Sequence, residues 1–211
     1  MTRVIAKGVT ALLLTLSLSS AVQQAFANDR LNVTVVQKDN TQVIKQQVKD
    51  MSVFGWSPER KLTWSDFKGN TLTGVTDETA ASICHGFGIQ TDTAASNGQH
   101  VVVNVFNVFY PTKSWVRDGE QSSAVLAHEQ THFDICELYT RILKERLAQA
   151  YLTRNNFNAA IKQIYTQVQA EYVAVQEQYE EQTNHGLIAV EQQRWQNDIQ
   201  MQLSDSHYAL R

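Results

Sequence analysis

From Ser122 to the C-terminus the chain has no proline and a single glycine, Gly186. Those two residue types are the strongest helix breakers, costing about 3 and about 1 kcal/mol in a helix interior. A long stretch without them reads as helix, interrupted where Gly186 stands. Periodicity agrees: Phe157, Ile161, Ile164, Val168, Tyr172, Val175 and Tyr179 recur at steps of three or four residues and line one helix face. Helices are therefore predicted over Ser122–Tyr151, Asn155–Tyr179 and Leu187–Leu203.

The preceding half reads differently. Leu31–Gln37 alternates Leu31, Val33 and Val35 on one side, as a strand does. Thr41–Met51 carries Ile44, Val48 and Met51 at helical spacing and reads as a short helix. Ala80–Thr91 and His100–Tyr110 read as two strands joined at Ser96-Asn97-Gly98, where Asn and Gly accept positive φ at little cost. The Val- and Phe-rich run HVVVNVFNVFY suits a central strand. Strands first and helices after is an α+β pattern, with a mainly antiparallel sheet packed on long helices. A composition with 43% hydrophobic and 18% charged residues excludes a wholly disordered or collagen-like chain. A net charge of −3 argues against binding nucleic acid by phosphate neutralisation.

Met1–Ala27 has the parts of a secretory signal: basic Arg3 and Lys7, the apolar run Val9–Leu18, and Ala25-Phe26-Ala27 as a peptidase site. The run is shorter than the roughly 20 residues of a stable membrane span. The expectation is an exported, periplasmic or secreted protein with one domain over residues 28–211. In an oxidising compartment Cys84 and Cys136 are a possible disulfide, with two buried thiols as the alternative.

The residues that carry chemistry lie in Val125–Glu137, VLAHEQTHFDICE. His128 and His132 stand four apart in a helical stretch, hence on one face, where both imidazoles can reach one metal ion. Glu129 follows His128 by about 100° and can lie beside the metal without ligating it. This is the HExxH pattern of zinc hydrolysis, with two neutral nitrogen donors and a carboxylate to take a proton from water. Asp134, in a position usually uncharged in zinc peptidases, could accept a hydrogen bond from a ligand or pair with a cation.

A catalytic zinc needs a third protein donor. Glu137 is turned to the opposite helix face and is better placed to pair with Arg141 or to sit behind the ligands. Cys136 lies on the histidine face, but a further ligand would close the site. His185 stands where the second helix should end, and an antiparallel helix pair would return it near His128. The alternative for His185 is an ordinary histidine at a helix C-terminus. Tyr179 and Arg194 are candidates for stabilising an oxyanion. His85, His100 and His207 read as structural. Trp56, Trp64 and Trp115 could line a cleft or fill the core, with packing favoured for Trp64.

The chain resembles the DUF922 family of bacterial exported proteins, described as predicted secreted zinc-dependent proteases. The resemblance rests on Leu62–Gly69 (LTWSDFKG), Ser114-Trp115-Val116, Leu126–Arg141 (LAHEQTHFDICELYTR) and Tyr179–Gly186 followed by Gln193 and Trp195. It implies a zincin-like core, with a sheet over the motif helix, and it strengthens His185 as third ligand. The function expected is an exported zinc metallopeptidase acting on a peptide or protein, in which Glu129 activates water. Two alternatives are a non-catalytic envelope scaffold with a structural zinc, and a hydrolase acting on an amide of the cell-wall polymer.

Overall fold

The computed structural model describes residues 30–37, 44–45, 49–70, 79–98 and 100–204. The expected signal, His207 and most of the short helix expected over Thr41–Met51 lie outside them; Ile44 and Lys45 are helical. Strands β1 (Asn32–Gln37), β2 (Ala81–Ser82), β3 (His85–Asn97), β4 (His100–Phe109) and β5 (Trp115–Val116) precede helices α1 (Ser123–Gln149), α2 (Phe157–Thr183) and α3 (Ala189–Ser204). The chain is thus α+β, with the sheet first and three helices last.

β4 is the central strand of the order β1-β4-β3. It pairs antiparallel with β3 through the turn at Gly98 and parallel with β1. A separate two-stranded piece pairs β2 with β5, again antiparallel. Side chains alternate across β4. Val101, Val103, Val105 and Phe109 join Phe87 and Ile89 of β3 in the core shared with the helices. Phe106, Val108 and Tyr110 join Ile44, Val53 and Cys84 in a second cluster.

α1 lies on the helix-facing side of the sheet, burying Phe133, Ile135, Cys136, Leu143 and Leu147. Each large apolar side chain removed from water contributes roughly 1.5–3 kcal/mol. The helix starts at Ser122, whose hydroxyl accepts from the Val125 amide at 3.1 Å. α2 returns antiparallel to α1, so that Arg146 meets Glu171, His132 meets Gln176 and His128 meets Tyr179. Its buried face runs through Phe157, Ile161, Tyr165, Val168, Tyr172, Gln176, Tyr179 and Thr183. Two polar residues therefore interrupt the stripe towards its C-terminal end. Among the described residues no helix is long and apolar enough to cross a membrane.

The two cysteines correct the disulfide expectation, since both are free and buried. Cys84 belongs to the second cluster and Cys136, on α1, to the helix-side core.

Candidate metal centre

His128 and His132 sit in the second and third turns of α1, both buried. Helical spacing brings their Nε2 atoms to 3.2 Å. The third donor gathered with them is the carboxylate of Glu180, from the last turn of α2. One ligand atom from each residue lies within 4.8 Å of the others. Glu180 Oε1 is 2.7 Å from His132 Nε2 and Oε2 is 3.5 Å from His128 Nε2. Burial pushes the Glu180 carboxyl up, but His132 and His128 override it and hold the group well below the usual carboxylate range.

His185, the third donor expected from the sequence, is not a member of this group. Its Nδ1 lies 2.9 Å from Glu180 Oε2, the oxygen that also faces His128 Nε2 at 3.5 Å. The physical reason is the helix end. α2 runs one turn beyond Tyr179, which puts Glu180 inside the helix and facing α1, while His185 falls in the turn that follows. In that turn Thr183 Oγ1 donates to the Tyr179 carbonyl (2.7 Å) and accepts from the Gly186 amide (3.1 Å). Gly186 has φ +78°, and a Cβ there would come within 3.0 Å of the His128 ring. Backbone without a side chain is what lets the turn close over that imidazole.

Two glutamines, which sequence reasoning missed, fix the tautomers. Gln176 donates its Nε2 to the His132 carbonyl (3.0 Å), which leaves its Oε1 facing His132 Nδ1 at 2.5 Å. An amide oxygen only accepts, so His132 Nδ1 carries the proton. For His128 the chain of donors is longer. Thr131 Oγ1 donates to the Ala127 carbonyl and accepts from Gln192 Nε2, and Gln192 Oε1 then faces His128 Nδ1 at 3.0 Å. With protons on both Nδ1 atoms, it is the Nε2 of each ring that faces the Glu180 carboxylate, the atom whose lone pair a metal would take. Three electron-rich atoms at these separations repel unless a proton or a cation stands among them. Two imidazole nitrogens and one carboxylate oxygen are donors that fit zinc and leave a tetrahedral shell one place short.

Glu129, next to His128 in sequence, is buried and bonded to the Ile83 backbone. Burial pushes its carboxyl up to about 7, with His128 pulling it down and Glu180 adding to the rise. Tyr179 is fully buried and stacks on His128 with ring centroids 4.9 Å apart. Its hydroxyl donates its one proton to Gln192 Oε1 (2.7 Å), with the His128 carbonyl 3.2 Å away, so it braces the glutamine that holds the His128 ring. Arg194 is engaged with Glu191 and Gln182 at the junction of α2 and α3.

Two other acidic residues of the motif helix hold the fold rather than a ligating ring. Asp134 accepts from the Trp56 indole and from Gln130, both within 2.7 Å, while Gln130 Oε1 accepts from the Leu62 amide. Together they strap the segment before Leu62 onto α1. Glu137 bonds Arg141 Nε at 2.7 Å and Gln37 Nε2 at 2.9 Å, and also Asn107. Gln37 and Asn107 tie it to β1 and β4, and its pairing with Arg141 lies within α1, as the i, i+4 spacing predicts. Trp115 is buried, and Trp64 packs on Phe67 at 5.0 Å. His85 is buried with its Nδ1 at 2.9 Å from the Tyr172 hydroxyl, and His100 Nε2 lies 3.0 Å from Thr34 Oγ1.

Residues 112–186 match the family model of DUF922, described as a bacterial protein of unknown function. The match supports assignment to that family. It contains all three gathered donors, Glu129 and the His185-Gly186 turn. No curated protein and no solved structure matches the chain.

Proposed function

We propose that the chain, which matches the DUF922 model over residues 112–186, is an exported zinc-dependent hydrolase of peptide bonds. The observation that carries this reading is the convergence of His128, His132 and Glu180, with both Nδ1 atoms tied back to glutamine. A zinc ion held by these three residues would polarise a substrate carbonyl and bring the acidity of water near neutrality. Gln192 and Gln176 keep the two Nε2 lone pairs aimed inward. Glu129 accepts a proton from the attacking water as the water oxygen bonds the carbonyl carbon. The same carboxyl then delivers that proton to the departing amine nitrogen as the C–N bond breaks. Burial of Glu129 keeps bulk water from solvating its carboxylate.

The competing reading, a purely structural zinc, calls for a closed shell of four protein donors. Among the described residues the gathered group has three. Cys136 is not part of it, and Glu137 is committed to Arg141. An open position favours catalysis. The leader-like sequence of Met1–Ala27 supports a reaction outside the cytoplasm.

The test is Glu129→Gln in the mature protein, assayed on a peptide library beside metal analysis. Zinc is retained and cleavage falls by about 10²-fold or more, the scale of a general base. Undiminished cleavage by the variant would remove Glu129 from the mechanism.

A further inference from the structure

Asn184, His185 and Gly186 follow one another with positive φ, at +46°, +58° and +78°. Among the described residues only Lys49 is another non-glycine with positive φ. Gly186 is needed where it stands, against the His128 ring. Asn tolerates the left-handed region at the helix cap. At 185 the left-handed backbone is open to asparagine, aspartate and histidine more than to other side chains, but any side chain there carries some local strain that glycine would not, of a kind found at functional sites. Among the described residues the ring's one polar contact is Nδ1 on Glu180 Oε2, at 2.9 Å. An ionised carboxylate only accepts, so Nδ1 carries the proton. The other carboxylate oxygen, Oε1, is the one close to His132 Nε2.

From this we infer that His185 is a positioning residue for the metal centre: its Nδ1–H holds one oxygen of Glu180 so that the other is presented to the ion. The inference rests on the proposed metal reading and deepens it. His185 does for Glu180 what Gln176 and Gln192 do for the two histidines, so each of the three donors is oriented by a second residue. The backbone strain at 185 is retained because removing it would release the carboxylate. Outer hydrogen bonds of this kind change metal affinity without touching the ion.

Two variants separate this role from a structural one. His185→Asn keeps a residue suited to the left-handed region, and its side-chain NH2 can occupy the place of Nδ1–H. His185→Gly relaxes the backbone and deletes the donor. Zinc affinity is read by competition with a chromophoric chelator, and thermal unfolding is followed on the metal-free proteins. The Gly variant, metal-free, unfolds at the same or a higher temperature than wild type, yet binds zinc about 10- to 100-fold more weakly. The Asn variant binds within about threefold of wild type, a loss smaller than that of one outer partner. A Gly variant that binds as tightly as wild type would overturn the role and leave the metal centre standing. Equal large losses in both variants would make the imidazole itself a donor to the ion and would also overturn it. A wild-type protein that binds no zinc would overturn the metal reading, and this role with it.

Discussion

Gln176 grips His132 at both ends: its Nε2 donates to the His132 carbonyl at 3.0 Å while its Oε1 sits 2.5 Å from the imidazole Nδ1. One side chain of α2 therefore fixes both the backbone and the ring of a residue on α1. Gln176→Leu keeps the volume and loses both bonds. Zinc affinity is expected to fall about 10- to 100-fold, as for other outer-partner deletions. Isothermal titration with zinc checks this, and unchanged affinity would show that the ring is held by packing alone.

Gly186 closes the turn over His128 from the other side. Gly186→Ala puts a methyl group 3.0 Å from the ring at φ +78°, where an L-residue is already strained. The expected cost is about 1–3 kcal/mol in urea unfolding, together with weaker zinc binding because His128 must move. Wild-type stability in this variant would mean that the turn shifts freely.

His85, whose ring centroid lies 6.4 Å from that of His132, supplies a pH test. Burial, with His132 adding to it, lowers its pKa from 6.5 to about 3. The folded protein therefore keeps His85 neutral where the unfolded chain takes up a proton. The stability this contributes is present above pH 6.5 and is lost as pH falls from 6.5 towards 3. Between pH 7 and pH 5 the loss is about 2 kcal/mol. Urea unfolding with chelator present should show wild type losing about that much more than His85→Phe over the interval, since the phenyl ring cannot take up a proton. Parallel pH dependence in the two proteins would contradict the neutral, buried state.

Much of this was legible in the residues. Four-residue spacing placed His128 and His132 on one face, and the breaker-free stretch set out three helices within a turn of their observed ends. The central place of β4 followed from its Val and Phe content. Glu180 was not legible, because periodicity gives the apolar face of a helix and not its rotation against a partner. A glutamate one residue past a buried tyrosine is ordinarily a solvated neighbour of the stripe. The available signal was Gln176, a polar residue four positions before Glu180 and on the buried face. The state of the cysteines was hidden for a related reason, since distance and facing depend on tertiary packing. Likewise, alternation marks β1 as a strand, but not that it lies parallel to β4.

The most direct test is the metal content of Glu180→Ala against wild type, by elemental analysis after dialysis in trace zinc. About one zinc per chain in wild type is the tetrahedral three-donor expectation, with little or none in the variant once a donor is gone. Equal occupancy in the two proteins would contradict the assignment of Glu180 as the third donor.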